Sequence, residues 1–397
     1  MVNFMMKTQN ENRLGYKRMA LGEVADIYSG GTPSRANPKF WGGNIPWVKT
    51  TQIKNSIIPE SEVDEWITEE GFKKSSAKMI PKGTILMAMY GQGKTRGRVA
   101  VLGLNATINQ ACAAISLKST ANRNFVFQQL LSKYTVIRKM SNSGGQDNLS
   151  AGLIKEITIS LPPLPEQKAI AGVLECWDRG IRNLELKIEN KRRTKKGLMQ
   201  RLLSGKLRLP GFSNDWKEKK IDEIFDVTRG QVLAVSKMQQ NQNEKYCYPV
   251  YSSQTKSNGL TGYYTEHLYE NAITWTTDGA NAGDVKYRSG KFYCTNVCGV
   301  LLGEYTNQCI AEMLNMVSEK YVSYVGNPKL MNNVMAKIKI TLPPLEEQQA
   351  IAKVLSAADG EIEVLERKLA TWKDQKKFLL NNLVTGSIRL PEFRTTN

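Results

Sequence analysis

A single histidine, six scattered cysteines and no long apolar run remove several classes of function from this 397-residue chain. No stretch of about 18 apolar residues exists, so no helix is expected to cross a bilayer. Met1 to Arg18 shows no apolar core followed by a small-residue cleavage site, which points to a cytoplasmic protein with no membrane partner. Of Cys112, Cys176, Cys247, Cys294, Cys298 and Cys309, only Cys294 and Cys298 are close in sequence. His267 cannot complete a finger-type zinc site with that pair, so free buried thiols and no metal are expected. A histidine-based triad would have to use His267, and no Ser or Cys context supports it. Also missing are the Asn/Asp-Pro-Pro-aromatic tetrapeptide of amino-methyltransferases, a strand–Gly-x-Gly–helix unit for adenosylmethionine, and a nuclease carboxylate–lysine cluster. The expectation is a chain with no catalytic site and no cofactor of its own.

What is present is charge of one sign: 55 Lys+Arg stand against 37 Asp+Glu, a net +18. Such an excess draws the protein to polyanions in a salt-dependent way. A basic face for a protein partner is the alternative at this level. The apolar share of 41% is that of a globular protein, and the length allows two or three domains.

A repeat organises the chain. Ile157–Phe212 matches Ile338–Phe393 without a gap at a constant offset of 181, with roughly half the positions identical. Leu161-Pro162-Pro163-Leu164-Pro165-Glu166-Gln167 returns as Leu342-Pro343-Pro344-Leu345-Glu346-Glu347-Gln348. Gly205-Lys206-Leu207-Arg208-Leu209-Pro210 returns as Gly386-Ser387-Ile388-Arg389-Leu390-Pro391. A weaker repeat precedes each copy at an offset of 200: Tyr16, Leu21-Gly22-Glu23-Val24, Asp26 and Gly30 answer Trp216, Ile221-Asp222-Glu223-Ile224, Asp226 and Gly230. Two halves of this kind can be related by a pseudo-two-fold axis, the geometry that meets two half-sites on a duplex.

The repeated segment has the spacing of a coiled-coil helix. Its prolines are tolerated before and in the first turn, and Glu166 and Glu347 sit near the positive end of the helix dipole. The seam runs Ile170, Leu174, Trp177, Ile181, Leu184, Ile188, Leu198 and Leu202 in the first copy. The second runs Ile351, Leu355, Ala358, Ile362, Leu365, Leu369, Trp372, Leu379 and Leu383. The alternation of fours and threes is the heptad pattern. Lys191 and Lys195 interrupt the first seam and Lys376 the second, while Gly205 and Gly386 stand where a left-handed cap would end each helix. A helix of close to 40 residues spans on the order of 60 Å and cannot stand alone with one apolar stripe. The complementary stripe is the other copy, so the two helices are expected to pair antiparallel; packing of each helix on its own domain alone is the competing arrangement.

Between the helices the pattern is mixed α/β, with strands near 84–90, 99–102 and 111–117, and near 271–276, 284–287 and 297–302. Ala88-Met89-Tyr90-Gly91-Gln92-Gly93-Lys94-Thr95 satisfies a relaxed phosphate-loop pattern. That loop works only ahead of a helix, whereas Arg96-Gly97-Arg98 leads into another β run. A glycine-rich hairpin offering Lys94, Arg96 and Arg98 to DNA accounts for it better. Lys49-Thr50-Thr51-Gln52 and Tyr251-Ser252-Ser253-Gln254-Thr255-Lys256 suit base-edge or phosphate contact. The candidate DNA-binding residues are Lys49, Gln52, Gln92, Lys94, Thr95, Arg96, Arg98, Gln146, Gln254, Lys256, Asn281, Lys286 and Arg288.

The doubled Leu-Pro-Pro-Leu-x-Glu-Gln with Ala-Ile-Ala at 169–171 and 350–352, the long helix after each, and the Gly-x-x-Arg-Leu-Pro ending resemble the specificity subunit of Type I restriction–modification systems. Ser75-Ser76-Ala77-Lys78, Pro81-Lys82-Gly83-Thr84, Gly144-Gly145-Gln146-Asp147-Asn148-Leu149 and Trp275-Thr276-Thr277-Asp278-Gly279-Ala280-Asn281-Ala282-Gly283 look like target-recognition elements of that family. The second domain departs at Gly326-Asn327-Pro328-Lys329-Leu330, which replaces the Gln-Asp-Asn-Leu of the first. The resemblance implies an α+β fold: a target-recognition domain over 1–160, a spacer helix over 161–212, a second recognition domain over 213–341 and a second spacer helix over 342–397. It also implies double-stranded DNA as ligand and two methyltransferase subunits, for which Trp372, the seam residues and the exposed faces of both helices are the candidate holds. Restriction subunits would join these, with adenosylmethionine and ATP belonging to the partners. A protein-binding coiled-coil adaptor and an ATPase built on Lys94 are the alternatives.

Overall fold

The computed structural model describes residues 15–91, 93–140, 148–253 and 256–394. The chain divides into two compact units, 1–184 with 369–397, and 185–368.

In the first unit a five-stranded sheet has the order Ala25–Ser29, Cys112–Leu117, Ile85–Ala88, Val99–Leu102, Ile57–Ile58, antiparallel except for the last pair. Ile85–Ala88 and Val99–Leu102 are apolar at every position because both faces are covered. Ile85, Met87, Val99, Val101, Ala113 and Ile115 face one core. Leu86, Ala88, Ala100, Leu102, Cys112 and Ala114 face the other. The first core is closed by the helices Arg123–Ser132 and Ala151–Lys155 and by Ile170, Leu174 and Leu383 of the long helices. The second lies under Val48, Ile53, Ile58 and Ile80 of the 41–80 region.

The second unit holds a six-stranded sheet in the order Asp226–Arg229, Cys298–Leu302, Tyr269–Thr276, Val285–Cys294, Tyr248–Tyr251, Leu260–Tyr264. Helix Gln308–Ser318 covers one face, joined by Leu202, Leu203, Ile351 and Leu355 of the long helices. Trp275, 1% exposed, fills the space over Gly299 on the neighbouring strand. A Cβ at Gly299 would lie 2.1 Å from that indole. Gly299→Ala is therefore expected to destabilise the protein by roughly 1–3 kcal/mol through overpacking, read as a lowered denaturation midpoint; an unchanged midpoint contradicts the account.

The long helices run Leu164–Leu203 and Leu345–Leu383. Gly205 and Gly386 take φ of +69° and +77°, the left-handed caps the spacing called for. Within the second unit Lys191 pairs with Glu361 at 2.8 Å and Lys195 with Asp359 at 2.6 Å, so one helix ascends as the other descends. Within the first unit Trp177 meets Trp372 edge-on at 5.9 Å and Asp178 pairs with Lys376 at 2.7 Å. Ile170, Leu174, Ile181, Leu184, Ile188, Leu202, Ile351, Leu355, Ile362 and Leu383 are buried. Trp177, Leu198, Leu365, Leu369, Trp372 and Leu379 are half-buried. The helices pair antiparallel, and the arrangement in which each packs only on its own domain is excluded. The seam lysines are no defects: Lys195 and Lys376 are equivalent in the repeat, as are Asp359 and Asp178, and each lysine reaches the aspartate of the other copy.

The two repeated motifs meet in the same reciprocal way. Glu166, fully buried, takes two hydrogen bonds from Arg389, at 2.9 Å from Nε and 2.5 Å from Nη2. Glu347, also fully buried, is held by Arg208 at 2.6 and 2.7 Å. Tyr16 and Trp216 complete each site, by hydrogen bonds of 3.4 and 2.9 Å to the same carboxylates. Burial first, then the charge of Glu166, pushes the Tyr16 phenol up. Gln167 and Gln348 fold back on Pro162 O and Pro343 O at 2.8 and 2.7 Å. The start of each repeat is thus clamped by the end of the other.

Candidate nucleic-acid interface

One hydrogen-bond scheme gathers four chain crossings at the end of each main sheet. In the first domain the N–H groups of Gly30, Gly31, Asn109, Met89 and Leu149 donate to the carbonyls of Cys112, Ile108, Val48, Ala111 and Met89, at 2.8–3.1 Å. In the second, Gly230, Gln231, Thr295, Thr277 and Leu330 donate to Cys298, Cys294, Tyr251, Val297 and Thr277, at 2.9–3.1 Å. The glycine pair of the weaker repeat is the pivot of both. A Cβ at Gly30 would sit 2.0 Å from Ile108 O, and one at Gly230 2.3 Å from Cys294 O, so only glycine permits the approach.

In the first domain this cluster presents Arg35, Tyr90, Lys94 and Gln110, all exposed. Thr32 hydrogen-bonds Gln110 across the cluster. The Arg35 guanidinium stacks on Trp41 at 3.6 Å and pairs with Glu65 at 2.5 Å. Lys49 takes the other Glu65 oxygen at 2.5 Å and Asp64 at 3.1 Å. Burial opposes the charge of Glu65, but hydrogen bonds from Arg35 and Lys49 outweigh it and hold the carboxyl below its ordinary range. The hydrogen bond to Glu65 in turn raises the Lys49 ammonium. Residues 93–98 turn back onto Ala88: Ala88 N–H donates to Arg98 O and Gly97 N–H to Ala88 O, both at 2.9 Å. An antiparallel strand follows them, not a helix, which removes the phosphate-loop geometry on which the ATPase alternative depended.

In the second domain the cluster presents Gln231 and Asn281, both exposed. Thr295 Oγ1 hydrogen-bonds Ser252 Oγ at 2.9 Å, and Asn296 O accepts from Arg229 at 2.7 Å.

The sequence candidates divide by burial. Lys94 and Asn281 are exposed; Lys49, Thr95, Arg98 and Lys286 are half-buried, Lys286 paired with Asp284 at 2.7 Å. Three others differ from the surface role expected of them, because their polar groups are bonded inside the domains. Gln52, 4% exposed, bonds Glu62 O, Asp64 and Lys49 N. Arg96, 8% exposed, donates to Arg138 O at 2.9 Å. Arg288, 6% exposed, donates to Asn258 O and Thr274 Oγ1 and lies on the Tyr251 ring at 3.8 Å, and burial lowers its pKa. Lys256 begins a short turn to Gly259; Gln92, Gln146 and Gln254 lie outside the described residues. Arg35, Gln110, Gln231 and Asn296 also lie beside these crossings and were not among the sequence candidates, although the Gly30/Gly230 repeat marks the place.

All six cysteines are free thiols, and Cys112, Cys294, Cys298 and Cys309 are buried as expected, while Cys176 is exposed. Burial pushes the Cys298 thiol up to about 11 and that of Cys309 up to about 12. Among the described residues, no helix is long and apolar enough to cross a membrane.

The sequence matches the model of the family described as Type I restriction modification DNA specificity domain over residues 14–191 and 213–371. It is 22% identical to the Type I restriction enzyme MjaVIII specificity subunit of Methanocaldococcus jannaschii, over 93% of this chain and 92% of that one. It is 35% identical to the Type I restriction enzyme MpnII specificity subunit of Mycoplasma pneumoniae, over 34% of this chain and 42% of that one. Its fold is similar to the crystal structure of the Type I restriction–modification S subunit from M. genitalium, with a TM-score of 0.65, 17% identity, and 94% and 97% of the two chains covered.

Proposed function

Since the chain belongs to the Type I restriction–modification DNA specificity family, as its non-catalytic specificity subunit, we propose that it reads a bipartite duplex target, one half with each strand-end loop cluster. The observation that carries this reading is the five-bond scheme repeated in both domains, which builds the same loop platform twice on otherwise different sequences. Exposed amides and hydroxyls at such a platform suit base edges, and the cations suit phosphates. The +18 net charge supplies the non-specific attraction that brings a duplex to it. The paired helices act as a ruler for the bases left unread. Two methyltransferase subunits dock on the helical region and the domains, bringing adenosylmethionine, and restriction subunits bring ATP-driven cleavage. Tight binding then requires the methyltransferase subunits.

Replacing residues 16–160 by another recognition domain, in the complex with methyltransferase subunits, should change the bases of one half-site only. Single-molecule methylome sequencing reads the outcome. Both half-sites changing together, or neither, rejects the assignment of one half to each domain.

A further inference from the structure

The segment that breaks the parallel between the two domains, Gly326 to Leu330, belongs to a hairpin with an unusual surface. Ser323 and Lys329 exchange two backbone hydrogen bonds of 2.9 Å, and Gly326 turns the tip at φ +76°. The base is anchored three times: Gly279 N–H to Pro328 O at 3.0 Å, Leu330 N–H to Thr277 O at 2.9 Å, and the Trp275 indole N–H to Leu330 O at 2.9 Å. Leu330 and Val322 are buried in the domain core beneath it. The tip is the reverse: Tyr324 is 64% exposed and Val325 92%, with Asn327 exposed beside them. A single exposed apolar side chain needs no explanation, but a rigidly anchored loop that holds two of them outward at its tip does.

The position answers the question. Leu330 bonds Thr277 as Leu149 bonds Met89, so Leu330 at the base of the hairpin takes in the second domain the place Leu149 takes in the first. It lies against the 278–283 loop, the counterpart of the turn at 93–97, and Lys329 pairs with Asp278 of that loop at 4.0 Å. We propose that this hairpin is a groove-reading element of the second domain, with Tyr324 and Val325 contacting base edges and thymine methyl groups and Asn327 a base amide or carbonyl. The occupant is duplex DNA, because the hairpin is hydrogen-bonded into the loop platform at Thr277 and Gly279, on a chain whose net charge is +18. Apolar tips of this kind contact methyl groups in the major groove or wedge between base steps. The inference rests on the bipartite reading above and adds to it which residues do the reading.

The test uses the full chain in complex with methyltransferase subunits, carrying Tyr324→Ala, Val325→Ser or Asn327→Ala. These side chains are exposed, so denaturation midpoints should match the unaltered chain. Methylome sequencing is expected to show discrimination falling roughly tenfold at one or two base pairs of one half-site, with the other half-site unchanged. Unaltered specificity and rate in all three variants would overturn the proposal. Loss of complex assembly on size exclusion would also overturn it, by making the tip a surface for a protein partner. If the unaltered complex methylates no bipartite target, the parent reading fails instead, whatever the variants do.

Discussion

Arg389→Ala is expected to lower the stability of the chain by about 3 kcal/mol, the low end of the cost of stranding a buried charge. Glu166 is fully buried and has its carboxylate held bidentately by Arg389, which is itself 17% exposed at the side chain. Removing the arginine takes both of its hydrogen bonds from the carboxylate and leaves only a share of the Tyr16 hydroxyl proton, which also reaches Leu383 O at 3.0 Å. The large effect belongs to stranding the charge, not to the pair as such: Glu166→Met with Arg389→Met should recover much of the loss, since exchanging a buried pair for apolar side chains of similar volume is often neutral. Denaturant titrations of the single and double variants decide it. A loss under 1 kcal/mol in Arg389→Ala would mean that the clamp is ornamental and that the apolar contacts of Leu383 and Val384 alone seat this end. The partner clamp at Arg208 and Glu347 should behave in the same sense.

Deleting one heptad from each long helix, 185–191 and 362–368, is expected to shorten the unread spacer of the target by about three base pairs while leaving both half-sites intact. Seven residues of helix are about 10 Å, and base pairs stack about 3.4 Å apart. The excised segments lie opposite one another, so the seam keeps its heptad phase and the pairs Asp178–Lys376 and Lys195–Asp359 survive. Methylome sequencing of cells carrying the variant with methyltransferase subunits measures the spacer. An unchanged spacer with active methylation would remove the helices from the role of ruler. Deleting the heptad from one helix only puts the seam out of register and should abolish assembly rather than retune it.

The helices were legible in the chain because their signal is local and periodic. Apolar residues at alternating threes and fours, prolines at the start and a glycine at the end fix a helix and its buried face before any partner is known. The same holds for the central strands: runs such as Ile85–Ala88 and Val99–Leu102 are apolar throughout because they are covered on both sides. The internal match of two halves added the expectation of pairing, and the family followed from the doubled motif.

Which candidate side chains reach the surface was not legible in the same way. Gln52, Arg96 and Arg288 carry the side chains that DNA-binding loops use, yet each is bonded inside its domain. Residue type reports what a side chain could bind, while burial decides what it does bind, and burial here depends on segments far away in sequence. Arg96 is closed off by Arg138, 42 residues on, and Arg288 by Asn258, 30 residues back.

By itself the sequence determined two long amphipathic helices, two α/β domains, a basic surface and a family. Only the tertiary structure decided that the end of each repeat clamps the start of the other, that the seam lysines are answered by aspartates of the opposite copy, and which loops meet at the sheet ends. The reason is range. Periodicity and capping act over a few residues and are written along the chain, whereas Glu166 meets Arg389 across 223 residues, a pairing set by the antiparallel packing of the helices.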